Sequence, residues 1–141
     1  MAGELTPFLE LFRKILGISR NDHFYALVSG APSAGKTIVT YELLWHYLQE
    51  GNRTLYITTE DTPQLIMAKM KRFGWDAEPF LTDGRLAFID MYSWRLHNIE
   101  KPMRTDYGVM IEPFAIDSMR PLIWEELLAI FKEYPTRVLY D

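Results

Sequence analysis

The chain has 141 residues, of which 48% are hydrophobic and 24% charged, a balance typical of one globular domain. Its formal net charge of −4 gives no general attraction to nucleic acid or to an anionic membrane. It contains no cysteine for a disulfide or a thiolate metal site. No apolar run reaches membrane-spanning length and no signal-peptide pattern opens the chain, so we expect a cytoplasmic protein.

Helices and strands alternate along the predicted chain. Residues 1–22 predict a helix, begun by Thr6-Pro7 and stopped by Gly17, and then a turn. Residues 23–141 predict a core made of a buried strand at 23–29, a helix at 36–50, a strand at 53–60, a helix ending near 73, a strand at 85–92, a helix at 121–134 and a strand beginning at 137. This order predicts a single α/β domain, doubly wound, with a mostly parallel sheet and flanking helices.

Residues 93–117 do not fit this alternation. The segment is too long for an ordinary connection in a compact domain. The sequence leaves three interpretations open: a functional loop, a small extra element, or disorder.

An octet between the first predicted strand and its helix fits the spacing G-x-x-x-x-G-K-T: Gly30, Ala31, Pro32, Ser33, Ala34, Gly35, Lys36 and Thr37. Glycine allows backbone N–H groups to approach phosphate oxygens closely, and the following helix directs its positive end to the same place. Lys36 can reach the β- and γ-phosphates, and the Thr37 hydroxyl can bind Mg²⁺. The alternative is a turn that happens to contain glycine and lysine, but a strand before and a helix after favour a phosphate-binding loop.

Acidic residues lie at or near the ends of three of the predicted strands, on the side of a parallel sheet where ligands bind. Glu60 closes the strand at 53–60 and could activate an attacking water. Asp141 and Asp90 each follow an apolar run and compete for the magnesium-side role. Asp61, with Gln64 three residues later, is explained as the cap of the next helix.

Several linked motifs resemble the RecA superfamily, and specifically KaiC-like ATPases. They are the octet at 30–37, Glu60-Asp61-Thr62-Pro63, Phe73-Gly74-Trp75-Asp76, Gly84-Arg85-Leu86, and the apolar strand ending at Asp141. The resemblance runs from about residue 26 to residue 141 and is weakest between 93 and 118.

The resemblance implies a RecA-like P-loop core that hydrolyses ATP with Mg²⁺ and that works in a regulatory or signalling assembly. In that family pattern Glu60, helped by Asp61, polarises the attacking water, while Thr37 and Asp141 hold the metal side. Asp141 is thereby preferred over Asp90. The family commonly forms homo-oligomeric rings with ATP between neighbouring subunits.

Three departures from the family pattern stand out. Ser33 occupies a position where the family usually has glycine, so the loop is expected to be tighter or to bind nucleotide more weakly. The segment before the first strand lacks the family's glycine pair. The sequence ends at Asp141, where the family continues, so we expect an incomplete core, either a fragment or a short self-associating form, with slow hydrolysis.

Other functions remain open at this stage. The chain could be a regulatory module that binds nucleotide without hydrolysing it, or a RecA paralogue linked to DNA recombination, which its acidity does not favour. A GTPase would carry an Asn-Lys-x-Asp motif, which is missing from the sequence, whereas a kinase lid could use Arg95 and Arg104. Trp94 is the tryptophan to test as an adenine contact.

Overall fold

The computed structural model describes residues 7–19, 27–98, 103–112 and 136–140. Five helices lie in these ranges: α1 (Pro7–Leu16), α2 (Lys36–Gln49), α3 (Pro63–Arg72), α4 (Glu78–Thr82) and α5 (Trp94–His97). Five strands accompany them: β1 (Arg53–Thr58), β2 (Leu86–Asp90), β3 (Met103–Thr105), β4 (Gly108–Met110) and β5 (Thr136–Tyr140). The predicted helix at 121–134 lies outside the described residues.

The five described strands form one sheet in the order β3-β4-β2-β1-β5. Strand β1 pairs in parallel with β2 on one side and with β5 on the other. Strand β4 continues the parallel sheet beyond β2, and only β3 runs antiparallel, against β4. The prediction of an α/β fold with a mostly parallel sheet is therefore confirmed.

Strand β1 is buried on both faces, as expected for an inner strand of a parallel sheet. Tyr56 faces a core cluster formed with α2, α3 and Phe88 of β2. Leu55, the neighbour of Tyr56, belongs to a second cluster on the opposite face with Ile89 and Ile111. Successive side chains of β1 thus point to opposite faces of the sheet, and each face has its own core cluster.

Helix α2 runs antiparallel to β1. Its carboxyl end joins β1 through a short connection, in which the backbone N–H of Asn52 donates to the carbonyl of Tyr47. Nearer its amino end, Tyr41 lies 6.3 Å from the ring of Tyr56 in the second half of β1. The amino end of α2 consequently lies at the carboxyl end of the strands.

Helix α1 is fastened to α2 by a buried ion pair. Arg13 donates from both terminal nitrogens to the two carboxylate oxygens of Glu50, at 2.9 and 2.8 Å. The Glu50 side chain is 1% exposed, and its hydrogen bonds raise the pKa of Arg13 above the ordinary value. A bidentate pair of this kind satisfies both charges at a place that is largely shielded from water.

The structure corrects the predicted strand at 23–29 in its described part. Residues 27–29 have no strand structure, and the side chain of Leu27 is 91% exposed. Within the described ranges the sheet consists of β3, β4, β2, β1 and β5, and residues 27–29 are not part of it. An apolar run predicts a preference for burial but does not specify a partner strand.

The predicted cap at Asp61 is also wrong, because α3 begins one residue later. The hydroxyl of Thr62 accepts the backbone N–H of Leu65 at 3.2 Å, and Thr62 is the N-cap. This puts Pro63 at the first helical position, where the N–H that proline lacks is not needed.

The puzzling segment at 93–117 is a small extra element in its described part. It contains the short helix α5 and the β3–β4 hairpin, which extends the sheet beyond β2. Helix α4 was not predicted, although its start carries a recognisable signal: the Asp76 carboxylate accepts the N–H of Glu78, and Pro79 lies in the first turn.

Gly108 is where the hairpin meets β2, and replacing it should damage the sheet. Its φ is +142°, and an added Cβ would lie 2.1 Å from the carbonyl oxygen of Phe88. We expect Gly108→Ala to lower the free energy of unfolding by at least about 3 kcal/mol, measured by urea denaturation. Gly84→Ala is the control, because that site has φ +81° but open space, and it should lose only about 1 kcal/mol. Equal losses would contradict this account of Gly108.

We expect His46 to make the stability of the α1–α2 contact dependent on pH. Its ring stacks on Phe8 of α1 with centroids 5.2 Å apart, and its Nε2 lies 3.6 Å from a carboxylate oxygen of Glu42. Burial lowers the pKa of His46, and the nearby Glu42 opposes this only in part. The unfolded chain therefore takes up the proton more readily than the folded one.

We expect the free energy of unfolding to fall as the pH drops below about 6.5, the ordinary value for histidine. His46→Gln should remove this part of the pH dependence, even though it also lowers stability by losing the stack on Phe8. The same substitution at the exposed His97 should leave the dependence in place. Denaturation curves between pH 5 and pH 7.5 provide the measurement, and identical profiles for the two variants would refute the role of His46.

Candidate functional site

Residues 30–37 form a tight loop that leads into α2. The N–H of Ala34 donates to the carbonyl of Ala31 at 3.1 Å, which closes a turn. Ser33 and Gly35 have φ values of +65° and +92°. Two left-handed residues so close together curve the backbone into the kind of concave turn in which successive N–H groups can meet an anion.

Lys36 folds back over this loop. Its Nζ donates to the carbonyl of Gly30 at 2.6 Å and approaches that of Ala31 at 3.4 Å. An added Cβ at Gly30 would lie 3.3 Å from the Cβ of Ala34, so the two sides of the loop are close. The ammonium of Lys36 is therefore held at the mouth of the loop by carbonyl oxygens of the loop itself.

The amino end of α2 offers hydrogen-bond donors and a positive dipole. Its N-cap is Gly35, which has no side chain to cap the helix. The N–H of Val39 makes the first bond of the helix, to the carbonyl of Gly35. The N–H groups before Val39 are then available to an acceptor outside the helix, and a 14-residue helix favours an anion there.

A phosphate chain with Mg²⁺ fits the residues of this loop. The uncapped N–H groups and the Lys36 ammonium are donors that would hold phosphate oxygens. Thr37 is exposed and supplies a hydroxyl oxygen, a ligand type that Mg²⁺ accepts. The predicted second metal-side residue, Asp141, lies outside the described residues.

Glu60 lies just beyond the carboxyl end of β1, the end of the sheet to which α2 brings the loop. The residue is exposed. In the described part of the chain no hydrogen bond or ion pair holds its carboxylate. Its position at this edge agrees with the sequence prediction, and its predicted chemical role stays a prediction.

Asp61, predicted as the helper of Glu60, is held by other groups. Its carboxylate accepts a hydrogen bond from the Lys69 ammonium at 2.6 Å. Its carbonyl accepts the hydroxyl of Thr58 at 2.8 Å, and its N–H donates back to the same hydroxyl at 3.3 Å. The two acids that are adjacent in sequence therefore have different surroundings.

Asp90, the other candidate for the metal side, has a structural task. It is 4% exposed, and its Oδ1 accepts the N–H groups of Tyr92 and Ser93, both at 2.9 Å. These bonds turn the chain at the end of β2 and lead into α5. A carboxylate at the end of a strand commonly has this role, which the sequence alone does not distinguish from metal binding.

Two residues at the site were missed from the sequence, Thr58 and Lys69. Lys69 lies eight residues from Asp61, which is not a helical contact spacing, so no local pattern links the two residues. Trp94, the proposed adenine contact, has the guanidinium of Arg95 5.6 Å from its ring centre. The adenine role of Trp94 stays a prediction.

The phosphate loop, the helix behind it and the parallel sheet define a P-loop protein of the α/β class. The chain belongs to the KaiC ATPase family: the family model described as "ATPase: KaiC" matches residues 10–122. Membership of this family implies nucleotide binding.

Similar curated proteins cover parts of the chain. A "UPF0273 protein" of Thermotoga maritima is 36% identical over 67 residues, 48% of this chain and 28% of that protein. Another, of Aeropyrum pernix, is 30% identical over 102 residues, 68% of this chain and 40% of that protein. The "Circadian clock protein KaiC3" of a Synechocystis species is 30% identical over 64 residues, 45% of this chain and 13% of that protein. The chain thus spans less than half the length of these relatives.

Among the helices that the structure describes, none has the length and apolar character needed to cross a membrane.

Ser33 adopts a left-handed conformation that suits glycine, the residue that the family pattern has at this position. We expect Ser33→Gly to raise the free energy of unfolding by up to about 1 kcal/mol, because relief of the backbone strain exceeds the added chain entropy. Ala34→Gly is the control: Ala34 does not have a positive φ, so this change should only lower stability. Urea denaturation of both variants tests this, and a loss of stability in Ser33→Gly would contradict it.

Proposed function

We propose that this chain binds ATP with Mg²⁺ at residues 30–37 and hydrolyses the terminal phosphate. The observation that supports the proposal most directly is the arrangement at one edge of the sheet. An uncapped helix end and the Lys36 ammonium lie at the edge where β1 ends and the exposed Glu60 follows. The start of α2 thus supplies hydrogen-bond donors for phosphate, and the residue after β1 that could orient a water molecule, Glu60, lies at the same edge of the sheet.

Each residue has a defined task in this proposal. Lys36 exchanges its bond to the carbonyl of Gly30 for phosphate oxygens, and the N–H groups at the start of α2 hold the remaining charge. Glu60 accepts a hydrogen bond from the attacking water and orients it toward the terminal phosphorus. Mg²⁺, when bound, neutralises charge on the phosphates, with Thr37 and Asp141 as its proposed protein-side residues.

Assembly is part of the proposal as well. One relative is named a circadian clock protein, which supports a regulatory or signalling setting for this family member. A ring of identical subunits, with ATP between neighbours, is the form that we propose, because residues from a neighbour would complete a site exposed at the sheet edge.

Two variants separate binding from hydrolysis. Lys36→Met should weaken MgATP binding at least about tenfold in calorimetry, because a charge-assisted hydrogen bond to phosphate is lost. Glu60→Gln should keep the binding but reduce phosphate release about a hundredfold, the smaller end of what a general base contributes.

Exposed residues of the same types serve as controls. Lys14→Met on α1 and Glu78→Gln on α4 remove the same charges from other parts of the surface and should change neither quantity. Tight MgATP binding without phosphate release in the unmodified protein would instead assign a nucleotide-binding module. No magnesium-dependent binding at millimolar ATP would end the proposal altogether.

A further inference from the structure

The two acidic residues that follow β1, Glu60 and Asp61, have different surroundings. Glu60 is exposed, and no described group bonds to its carboxylate, whereas Asp61 is bonded through its side chain, its carbonyl and its N–H. The fixed residue is therefore the direct neighbour of the one proposed to act on water.

Asp61 is anchored to two different elements. Thr58 is the last residue of β1, is fully buried, and holds the backbone of Asp61 through its hydroxyl. Lys69 lies in the last turn of α3 and holds the carboxylate. Because the backbone and the side chain are both held, the turn at 59–61 is tied to the sheet on one side and to the helix on the other.

We propose that Lys69 is a positioning residue for Glu60. By pairing with Asp61 it fixes the turn from which the Glu60 side chain extends, and it takes up the charge of the second carboxylate. The inference rests on the proposed function for its effect on turnover. The effect of the Lys69–Asp61 bond on the turn at 59–61 can be tested without nucleotide.

The physical basis is the sensitivity of catalysis to placement. A displacement of about 1 Å at the reacting groups can cost up to a hundredfold in rate. Glu60 has no bond of its own in the described residues that would limit its movement, so the rigidity of its backbone decides where its carboxylate is found. The Lys69–Asp61 bond supplies that rigidity from outside the reacting groups.

Lys69→Met retains most of the side-chain stem and removes the ammonium. We expect kcat for ATP hydrolysis to fall about tenfold with little change in KM, because the phosphate-binding loop is untouched. Lys69→Arg should restore most of the lost kcat, since a guanidinium can also bond to the carboxylate.

A matched control lies two residues further along the same helix. Lys71 is more exposed and lies 3.8 Å from the Asp76 carboxylate, so Lys71→Met removes the same charge and a similar ion pair without touching the turn. It should leave kcat and KM unchanged. Equal effects of the two variants, or an unchanged kcat in Lys69→Met, would overturn the inference.

A second measurement is independent of turnover. Amide hydrogen exchange and NMR order parameters of residues 59–61 should show faster exchange and larger motion in Lys69→Met and in Thr58→Val than in the unmodified protein or in Lys71→Met. If the unmodified protein does not hydrolyse ATP, the proposed function fails. The exchange and NMR measurement still shows whether the Lys69–Asp61 bond holds the turn at 59–61. An unchanged turn in Lys69→Met would show that Lys69 does not position Glu60.

Discussion

The antiparallel packing of α2 on β1 is the constraint on which the rest of the site depends. The short connection at residues 50–52 and the contact between Tyr41 and Tyr56 fix the direction of the helix. A helix packed in this direction brings its positive end to the carboxyl edge of the parallel strands. The loop at 30–37 and the acids after β1 are brought to one side of the molecule by this packing and not by proximity in the sequence.

The same edge also shows how a strand end can serve structure and chemistry together. Thr58 and Asp90 are paired in register on β1 and β2, and both use side-chain oxygens to turn the chain that follows. Each is buried, so these turns are supported by the sheet. Glu60 follows one of the turns as an exposed residue, which leaves its carboxylate accessible while its surroundings are held.

The sequence predicted those parts of the fold that depend on local patterns. The sequence predicted α2, α3, β1, β2 and β5, because apolar periodicity and glycine stops are local features of the sequence. The described part of the strand predicted at 23–29 and the cap at Asp61 were predicted wrongly, and the contact between Lys69 and Asp61 was missed. The strand and the lysine contact depend on groups that meet in space, whereas the cap was decided locally, by Pro63 at the first helical position. The octet at 30–37 was identified from its spacing and its flanking elements; the structure shows a tight loop there that leads into α2, and its phosphate-binding role stays a prediction.

The buried pair between Arg13 and Glu50 has a consequence for how the molecule opens. The two residues are 37 positions apart, and the loop at 30–37 lies between them. Separating α1 from α2 would break two charge-assisted hydrogen bonds as well as the apolar contacts between the helices. Partial opening at the amino-terminal helix is therefore disfavoured unless the end of α2 frays with it. The two helices should open and close as one cooperative unit. Local fluctuations of α1, which precedes the loop at 30–37, would then be coupled to those of α2, which follows it.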